Sequence, residues 1–253
     1  MNLFEENDFD QASQTLQQLI NSSSRIVFLG GAGVSTESGL PDFRSVDGLY
    51  NQKWAFPPEE ILSATFFHLH TNEFYRFYRA KLICHGIQPN AGHKKLAELE
   101  NAGKLTACIT TNIDGLHQLA GSKNVLELHG TVLKNHCTKC NKFFDLNYVE
   151  EHQDKEFIPL CDECGGIIKP DVVLYEEGLD NSTLNQSIKS ISEADLLIVA
   201  GTSLTVYPAA GLIQYASKNC KRVLINRDAT QSDNFFEYVM HTSIGKLLDS
   251  IKL

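Results

Sequence analysis

Short apolar runs alternate with amphipathic segments along this chain. Runs with the character of strands buried on both faces lie at residues 25–29, 106–110, 125–128, 195–200 and 222–226. Apolar residues recur at helical spacing in segments 9–22, 92–102, 181–191 and 208–218. This alternation predicts an α/β fold, a doubly wound, mostly parallel sheet (Rossmann-like) with helices on both faces.

Two segments interrupt the alternation. Residues 45–84 are rich in aromatic side chains and are predicted to be helical, whereas residues 134–167 carry closely paired cysteines. Both are predicted to be insertions that form a smaller domain, a helical module plus a cysteine module. The larger domain is then built from residues 1–44, 85–133 and 168–253.

Charge and hydropathy exclude several classes of partner. The 253 residues carry a formal net charge of −9, which argues against a broad surface for nucleic-acid phosphates. No run approaches the ~20 apolar residues needed to cross a membrane. The acidic N-terminus lacks the basic and apolar regions of a secretory signal. We therefore expect no nucleic-acid and no membrane partner, and the cytoplasm is the default location.

Four of the seven cysteines form two C-x-x-C pairs with 20 residues between them. Cys137 and Cys140 make one pair, and Cys161 and Cys164 make the other. Each pair can place two thiolates on a tight turn, and together they offer a closed tetrahedral site for one structural zinc ion. Because zinc modules of this kind also serve in non-enzymatic binding proteins, the cysteines alone predict no activity.

A glycine turn follows the first predicted buried strand. Gly31 and Gly33 lie where a strand gives way to a helix start, a position at which backbone amides can cradle phosphates. The acidic ribose-binding residue expected about 20 residues later has no clear counterpart. A standard hydride-transferring dehydrogenase is therefore disfavoured, while a dinucleotide site remains open.

Several motifs together resemble the sirtuin family. The segment 31–45, GAGVSTESGLPDFRS, resembles its NAD-binding signature, and the segment 111–117, TNIDGLH, resembles its second motif. The segment 128–131, LHGT, resembles its catalytic motif, and the residues at 201–208 and the four cysteines complete the pattern. The resemblance extends from about residue 25 to the C-terminus, with the motifs in the family's order.

The resemblance implies an NAD-dependent protein-lysine deacetylase that acts on acylated-lysine proteins or peptides. Such an enzyme transfers the acetyl group from lysine to ADP-ribose, with NAD as co-substrate, and releases nicotinamide. His129 would be the base that activates a ribose hydroxyl, a task that suits an imidazole with an ordinary pKa of about 6.5. Asn112 would order the reacting groups.

The same resemblance implies the residues that bind the ligands. Asp114 would hydrogen-bond the nicotinamide carboxamide, and Phe43 would shield the reacting ribose from water. The predicted cofactor-binding residues are Gly31, Ala32, Gly33, Asp42, Phe43, Arg44, Asn112, Asp114, Gly201, Thr202, Ser203 and Asn226. Val172 and Val173 would pair with the substrate peptide, and Tyr75 and Tyr78 would line the acyl pocket.

Three positions depart from the family's usual pattern. Thr111 replaces a glutamine before the Asn-x-Asp motif, and Glu176 replaces a glycine beside the substrate strand. Tyr78 stands where members that remove acidic acyl groups carry arginine, so we expect acetyl or other neutral acyl groups. Succinyl removal, mono-ADP-ribosyl transfer and, more remotely, a non-enzymatic zinc- or NAD-binding protein are the alternatives.

Overall fold

The structure, a computed structural model, describes residues 1–42, 48 and 54–253. The strands within this part of the chain are β1 (Asn2–Phe4), β2 (Ile26–Gly30), β3 (Leu105–Thr110), β4 (Val125–Glu127), β5 (Gly130–Cys137), β6 (Phe143–Asp145), β7 (Ile168–Val172), β8 (Leu196–Ala200), β9 (Lys221–Ile225) and β10 (Tyr238–Met240). The α-helices there are α1 (Phe9–Ser22), α2 (Pro58–Ile61), α3 (Ala64–Leu69), α4 (Thr71–Lys81), α5 (Ala91–Asn101), α6 (Leu116–Leu119), α7 (Leu146–Glu151), α8 (Asn181–Glu193) and α9 (Ile244–Asp249).

The larger sheet has the strand order β1-β10-β9-β8-β2-β3-β4, and each neighbouring pair is parallel. From β2 the chain continues to β3 and β4 on one side, whereas β8, β9 and β10 extend the sheet on the other. The order therefore reverses between β2 and β8. In open parallel sheets, ligands bind beyond the carboxyl ends of the strands at such a switch point. The predicted doubly wound sheet is confirmed.

Both faces of this sheet are buried, which explains its continuous apolar strands. In β2, Ile26 and Phe28 pack into a cluster with α1, α5 and α9, while Val27 and Leu29 pack into a second cluster with α8. All four side chains are at most 2% exposed. Burying a side chain of this kind stabilises a fold by about 1.5–3 kcal/mol relative to exposure, so the central strands anchor the loops that follow them.

The smaller sheet is antiparallel, in the order β6-β5-β7. A third cluster packs aromatic side chains of α3 and α4, among them Phe67 and Phe74, against Val132 of β5 and Ile168 of β7. The predicted helices of segment 45–84 are present in its described part, residues 54–84. Strand β5 crosses the predicted domain boundary at residue 133, and the division into two domains stays a prediction.

Some elements differ from the sequence pattern. The helix predicted at 208–218 is a 3-10 helix, Ala209–Tyr215, whose buried residues Ala209, Ala210, Leu212 and Ile213 repeat at spacing three. A 3-10 helix has three residues per turn, so this stripe faces α8 continuously. The pattern predicts no strand where β1 and β10 lie, because three residues are too few to show alternation. No helix within the described residues is both long and apolar enough to cross a membrane.

Candidate active site and zinc centre

Two glycine turns meet at the switch point of the larger sheet. Gly31 follows β2 and donates its N–H to the carbonyl of Ala200 at 3.1 Å, and Gly33 donates to the carbonyl of Gly201 at 2.8 Å. A Cβ on Gly33 would lie 2.7 Å from the Cα of Gly201, closer than real Cβ contacts allow. Gly201 also has φ +62°, which favours glycine. The two turns therefore form one closely packed floor of glycine backbone.

A cavity of about 900 Å³ lies over this floor. Its volume is in the range of small-molecule sites, roughly 300–1,000 Å³. The predicted site residues that line it are Gly31, Ala32, Gly33, Asp42, Asn112, His129, Val172, Val173, Gly201, Thr202, Ser203 and Asn226. The fold thus brings together residues that are spread over almost 200 positions of the chain.

His129 lies two residues after the end of β4 and is half-buried in the cavity wall. Its backbone carbonyl accepts a hydrogen bond from the N–H of Val173 at 2.9 Å, which ties it to the segment that follows β7. Burial lowers the pKa of the His129 imidazole below its usual value, although a hydrogen bond with the Thr111 backbone opposes this shift. The neutral form, the one that can accept a proton, is therefore favoured.

Asn112 and Asp114 are joined through Ser35. The Asn112 amide nitrogen donates to Ser35 Oγ at 3.0 Å, and Ser35 Oγ donates to Asp114 Oδ2 at 2.7 Å. The other oxygen of Asp114 accepts from the N–H of Leu116 at 2.9 Å. Asp114 itself does not line the cavity described here. Ser35 is a site residue that the motifs did not single out, although its place within the 31–45 motif was a signal.

Asn226, which follows β9, also lines the cavity. Its amide nitrogen donates to the carbonyl of Thr202 at 2.8 Å, and the N–H of Thr202 donates to Asn226 Oδ1 at 3.2 Å. This reciprocal pair locks the loops after β8 and β9 together. The adjacent segments 227–231 and 243–246 also contribute to the wall, and no motif in the sequence had indicated them.

Besides Asp114, two predicted residues within the described part of the chain do not line the cavity. Tyr75 and Tyr78 are fully buried in the aromatic cluster of the smaller module. The Tyr75 hydroxyl donates to the carbonyl of Ile168, whereas the Tyr78 hydroxyl has no hydrogen-bond partner among the described residues. Phe43 and Arg44 lie outside the described residues. The predicted roles of the two tyrosines, Phe43 and Arg44 stay predictions.

The four paired cysteines converge at the end of the smaller sheet. All four sulfur atoms lie within 4.8 Å of one another, with 3.4 Å between Cys137 and Cys164 and 3.6 Å between Cys140 and Cys161. Zinc–sulfur bonds of about 2.3 Å in a tetrahedron place sulfurs roughly 3.8 Å apart. The donor set and its spacing therefore fit one zinc ion, and a set of four protein ligands leaves no position for a reacting water.

Comparison with known proteins agrees with this geometry. A model described as the Sir2 family matches residues 31–208, more than half of the chain. The chain belongs to the Sir2 family. This confirms the resemblance to sirtuins, and the matched range contains the glycine turns, His129 and all four paired cysteines.

Relatives of this Sir2 chain are similar over nearly their whole length. A protein of Clostridium acetobutylicum named NAD-dependent protein deacetylase is 58% identical over 238 residues, 93% of this chain and 96% of its own. A protein of the same name from Clostridium tetani is 55% identical and covers 94% of this chain and 96% of its own.

Solved structures of Sir2 proteins share the fold. One, described as Sir2 with a p53 peptide and NAD+, has a TM-score of 0.83 and 38% identity, and covers 93% of this chain and 95% of its own. Another, Sir2Tm bound to a propionylated peptide, has a TM-score of 0.83 and 36% identity, and covers 93% of this chain and 94% of its own.

Proposed function

We propose that this chain is an NAD-dependent protein-lysine deacetylase, which transfers the acetyl group from lysine to ADP-ribose and releases nicotinamide. The observation that carries the proposal is the convergence of His129 and Asn112 on the cavity at the switch point, beside a floor of glycine backbone, in a chain of the Sir2 family. The deacetylases named among its relatives support the same reaction.

NAD fits the cavity along its length. The close packing of the glycine turns at 31–33 and 201 suits a pyrophosphate, because no side chain at the glycines keeps the ligand away from the backbone. Asn226 and Ser203 are assigned to the adenosine side, and Asn112 and Asp114 to the nicotinamide side. Phe43 and Arg44, in the same motif, are assigned to the reacting ribose and its phosphates.

The acylated lysine is assigned to the part of the cavity wall that follows β7 and β8. Segments 172–177 and 203–208 both line the cavity, so an extended peptide can pair with their backbones from between them. NAD, when bound, supplies the ribose carbon that accepts the acyl oxygen and the nicotinamide that departs. His129 takes the proton from the ribose hydroxyl, which its lowered pKa permits at neutral pH.

A neutral acyl group suits the side chains near Tyr78. Arg79, the next residue, uses its guanidinium to donate to the carbonyls of Phe157 and Val149, and Arg76 pairs with Glu73 at 3.2 Å. An acidic acyl group needs a cation that is available to it. We therefore favour acetyl over succinyl removal.

Two broader assignments accompany the activity. We place the protein in the cytoplasm, with acylated-lysine proteins or peptides as partners. We also keep the division into a larger NAD-binding domain and a smaller domain of the helical and zinc modules. The location and the domain division rest on the sequence pattern, whereas the peptide-bound Sir2 structures support the partners.

Mass spectrometry of an acetyl-lysine peptide, with and without NAD and with a succinyl-lysine peptide in parallel, tests the function. We expect loss of acetyl only with NAD, with one nicotinamide released for each acetyl removed. Nicotinamide release with ADP-ribose attached to protein, and no deacylation, would replace the proposal with mono-ADP-ribosyl transfer. No reaction and no NAD binding would leave a non-enzymatic zinc protein.

A further inference from the structure

Asn90, the N-cap residue of α5, also contacts the glycine-rich segment. Asn90 caps α5, because its Oδ1 accepts from the N–H of His93 at 3.3 Å, and its own N–H donates to His93 Nδ1 at 3.3 Å. A cap of this type satisfies helix amides that otherwise have no partner. Capping uses only the oxygen of the side chain, which leaves the amide nitrogen for another task.

That nitrogen reaches across to residues 34–38. Asn90 Nδ2 donates to the carbonyl of Val34 at 2.7 Å and to Ser38 Oγ at 3.1 Å. These two acceptors lie on either side of Ser35, the residue that joins Asn112 to Asp114. The side chain of Asn90 therefore holds the Val34 backbone on one side of Ser35 and the Ser38 side chain on the other, although Asn90 does not line the cavity.

Two other hydrogen bonds hold residues 33–37. Gly33 donates to the carbonyl of Gly201, and Glu37 Oε1 accepts from the N–H of Gly245 at 2.7 Å, at the start of α9. Residues 31–33, 36 and 37, which are close to these contacts along the chain, line the cavity. A shift of the backbone at 34–38 would displace this part of the wall and Ser35 together.

We propose that Asn90 is a positioning residue for NAD: its amide holds residues 34–38 in the shape that binds the dinucleotide. The inference rests on the proposed function. Asparagine is required because a single side chain must accept at the helix cap and donate to two oxygens. Aspartate and serine cap helices as well as asparagine does, but aspartate has no donor and serine has only one.

The decisive variants keep the cap and remove the amide. Asn90→Asp retains the shape and places a carboxylate against the Val34 carbonyl, and Asn90→Ser removes the amide without adding charge. We expect the KM and calorimetric Kd for NAD to rise about tenfold in both, the factor that corresponds to ~1.4 kcal/mol. The peptide KM at saturating NAD should stay within about twofold of wild type.

Matched controls separate positioning from capping. Asp180 caps α8, where its carboxylate accepts from the N–H of Thr183 at 2.7 Å, and it does not line the cavity. Asp180→Ala and Asp180→Val, which remove this cap, should lower the melting temperature without changing the affinity for NAD. Ser38→Ala, which removes only one of the two acceptors, should raise the NAD Kd by less than the Asn90 variants do.

The outcomes are distinct. An NAD Kd unchanged in folded Asn90→Ser and Ser38→Ala, or raised equally in the Asp180 variants, would overturn the role of Asn90 while leaving the deacetylase assignment intact. Wild-type protein that neither binds NAD nor deacetylates a peptide would overturn the proposed function, and this inference with it.

Discussion

The surroundings of His129 change the pKa of its side chain in the direction that a base requires. An exposed histidine has a pKa of about 6.5 and is partly protonated near neutrality. Burial in the cavity wall disfavours the charged imidazole and lowers the pKa of His129, with the Thr111 backbone as the opposing influence. A base must be unprotonated to act, so this environment widens the pH range in which the proposed reaction can proceed.

The pH dependence of activity follows from this shift. As pH falls, kcat/KM should decline only when His129 becomes protonated, and a lowered pKa moves that decline to lower pH. We expect the acid limb of the profile to lie below about pH 6.5. The measurement is kcat/KM between about pH 5 and 8, with circular dichroism at each pH to confirm folding. An acid limb above the ordinary histidine value would contradict it.

Removing the imidazole tests the same residue directly. His129→Ala should lower kcat by about 10²–10⁴-fold, the usual contribution of general acid–base catalysis. Zinc content and melting temperature should remain near wild type, because His129 does not contribute to the zinc cluster. His68→Ala, at an exposed histidine outside the cavity wall, is the control and should retain full activity. Full deacetylation by His129→Ala would exclude it as the base.

Sequence motifs identify ligand-facing residues more readily than they identify the residues that hold those side chains in place. Asn112 and His129 lie in short motifs at strand ends, where a parallel sheet gathers its site, so their convergence was predictable. Asn90 lies outside those motifs, and its importance depends on a contact across 56 positions with Val34. Such a contact depends on how α5 packs, which local patterns do not contain.

Among the elements, length decides what the sequence reveals. The central strands β2 and β8 have five residues each, all buried, and their apolar runs identify them directly. The edge strand β1 and its neighbour β10 have three residues each and take their structure from pairing with neighbours. The segment 209–215 has the apolar residues expected of a buried helix, but they repeat every three residues, which is the period of a 3-10 helix and not of an α-helix.

The turn after β7 shows how a residue unsuited to its backbone can be held. The N–H of Glu177 donates to the carbonyl of Leu174, and Glu176 within this turn has φ +76°, where glycine is favoured. The Glu176 carboxylate accepts from the N–H and the Oγ1 of Thr65 at 2.9 and 2.7 Å. These bonds hold the turn to the start of α3 and lower the pKa of Glu176.

Glu176→Gly should therefore weaken substrate binding without lowering the stability of the protein. Glycine relieves the backbone strain while the two hydrogen bonds to Thr65 are lost, so we expect a melting temperature near that of wild type. The turn adjoins the 172–174 wall, and its greater freedom should raise the peptide KM several-fold without changing the KM for NAD.

Steady-state kinetics with each substrate varied in turn measures both constants in Glu176→Gly. Thr65→Val, which removes the hydroxyl bond but keeps the N–H bond, should raise the peptide KM less. A peptide KM equal to wild type in both variants would show that the contact does not position the substrate wall.

On the scale of the whole molecule, the two sheets meet beside the candidate base. Gly130 follows His129 and begins β5, and a Cβ at this position would lie 1.7 Å from the carbonyl oxygen of Asp171 in β7. Val172, the last residue of β7, lines the cavity. The smaller sheet therefore contributes directly to the site, and whatever fixes β5 against β7 also supports the cavity wall.

The zinc centre lies at the other end of the same two strands. Cys137 ends β5, and the turn of Cys161 and Cys164 leads into β7 at Ile168. Structural zinc contributes apparent free energies of about 10–16 kcal/mol in small zinc domains. The exposed ion pairs of Lys142 with Asp162 and Glu163 contribute little by comparison, so we expect the zinc ion to hold the two cysteine turns together.

Removal of one zinc ligand should therefore disturb the active site, because β5 and β7 connect it to the zinc centre. Cys161→Ser is expected to lose zinc, to lower the melting temperature and to raise the peptide KM, because the wall at Val172 loses its support. Cys84→Ser, at an exposed cysteine outside the cluster, should keep the metal and all kinetic constants. Elemental analysis for zinc, thermal unfolding and peptide kinetics make the comparison. A Cys161→Ser protein that is zinc-free, melts like wild type and deacetylates normally would show that the metal does not stabilise the wall, and that the aromatic cluster alone holds β5 against β7.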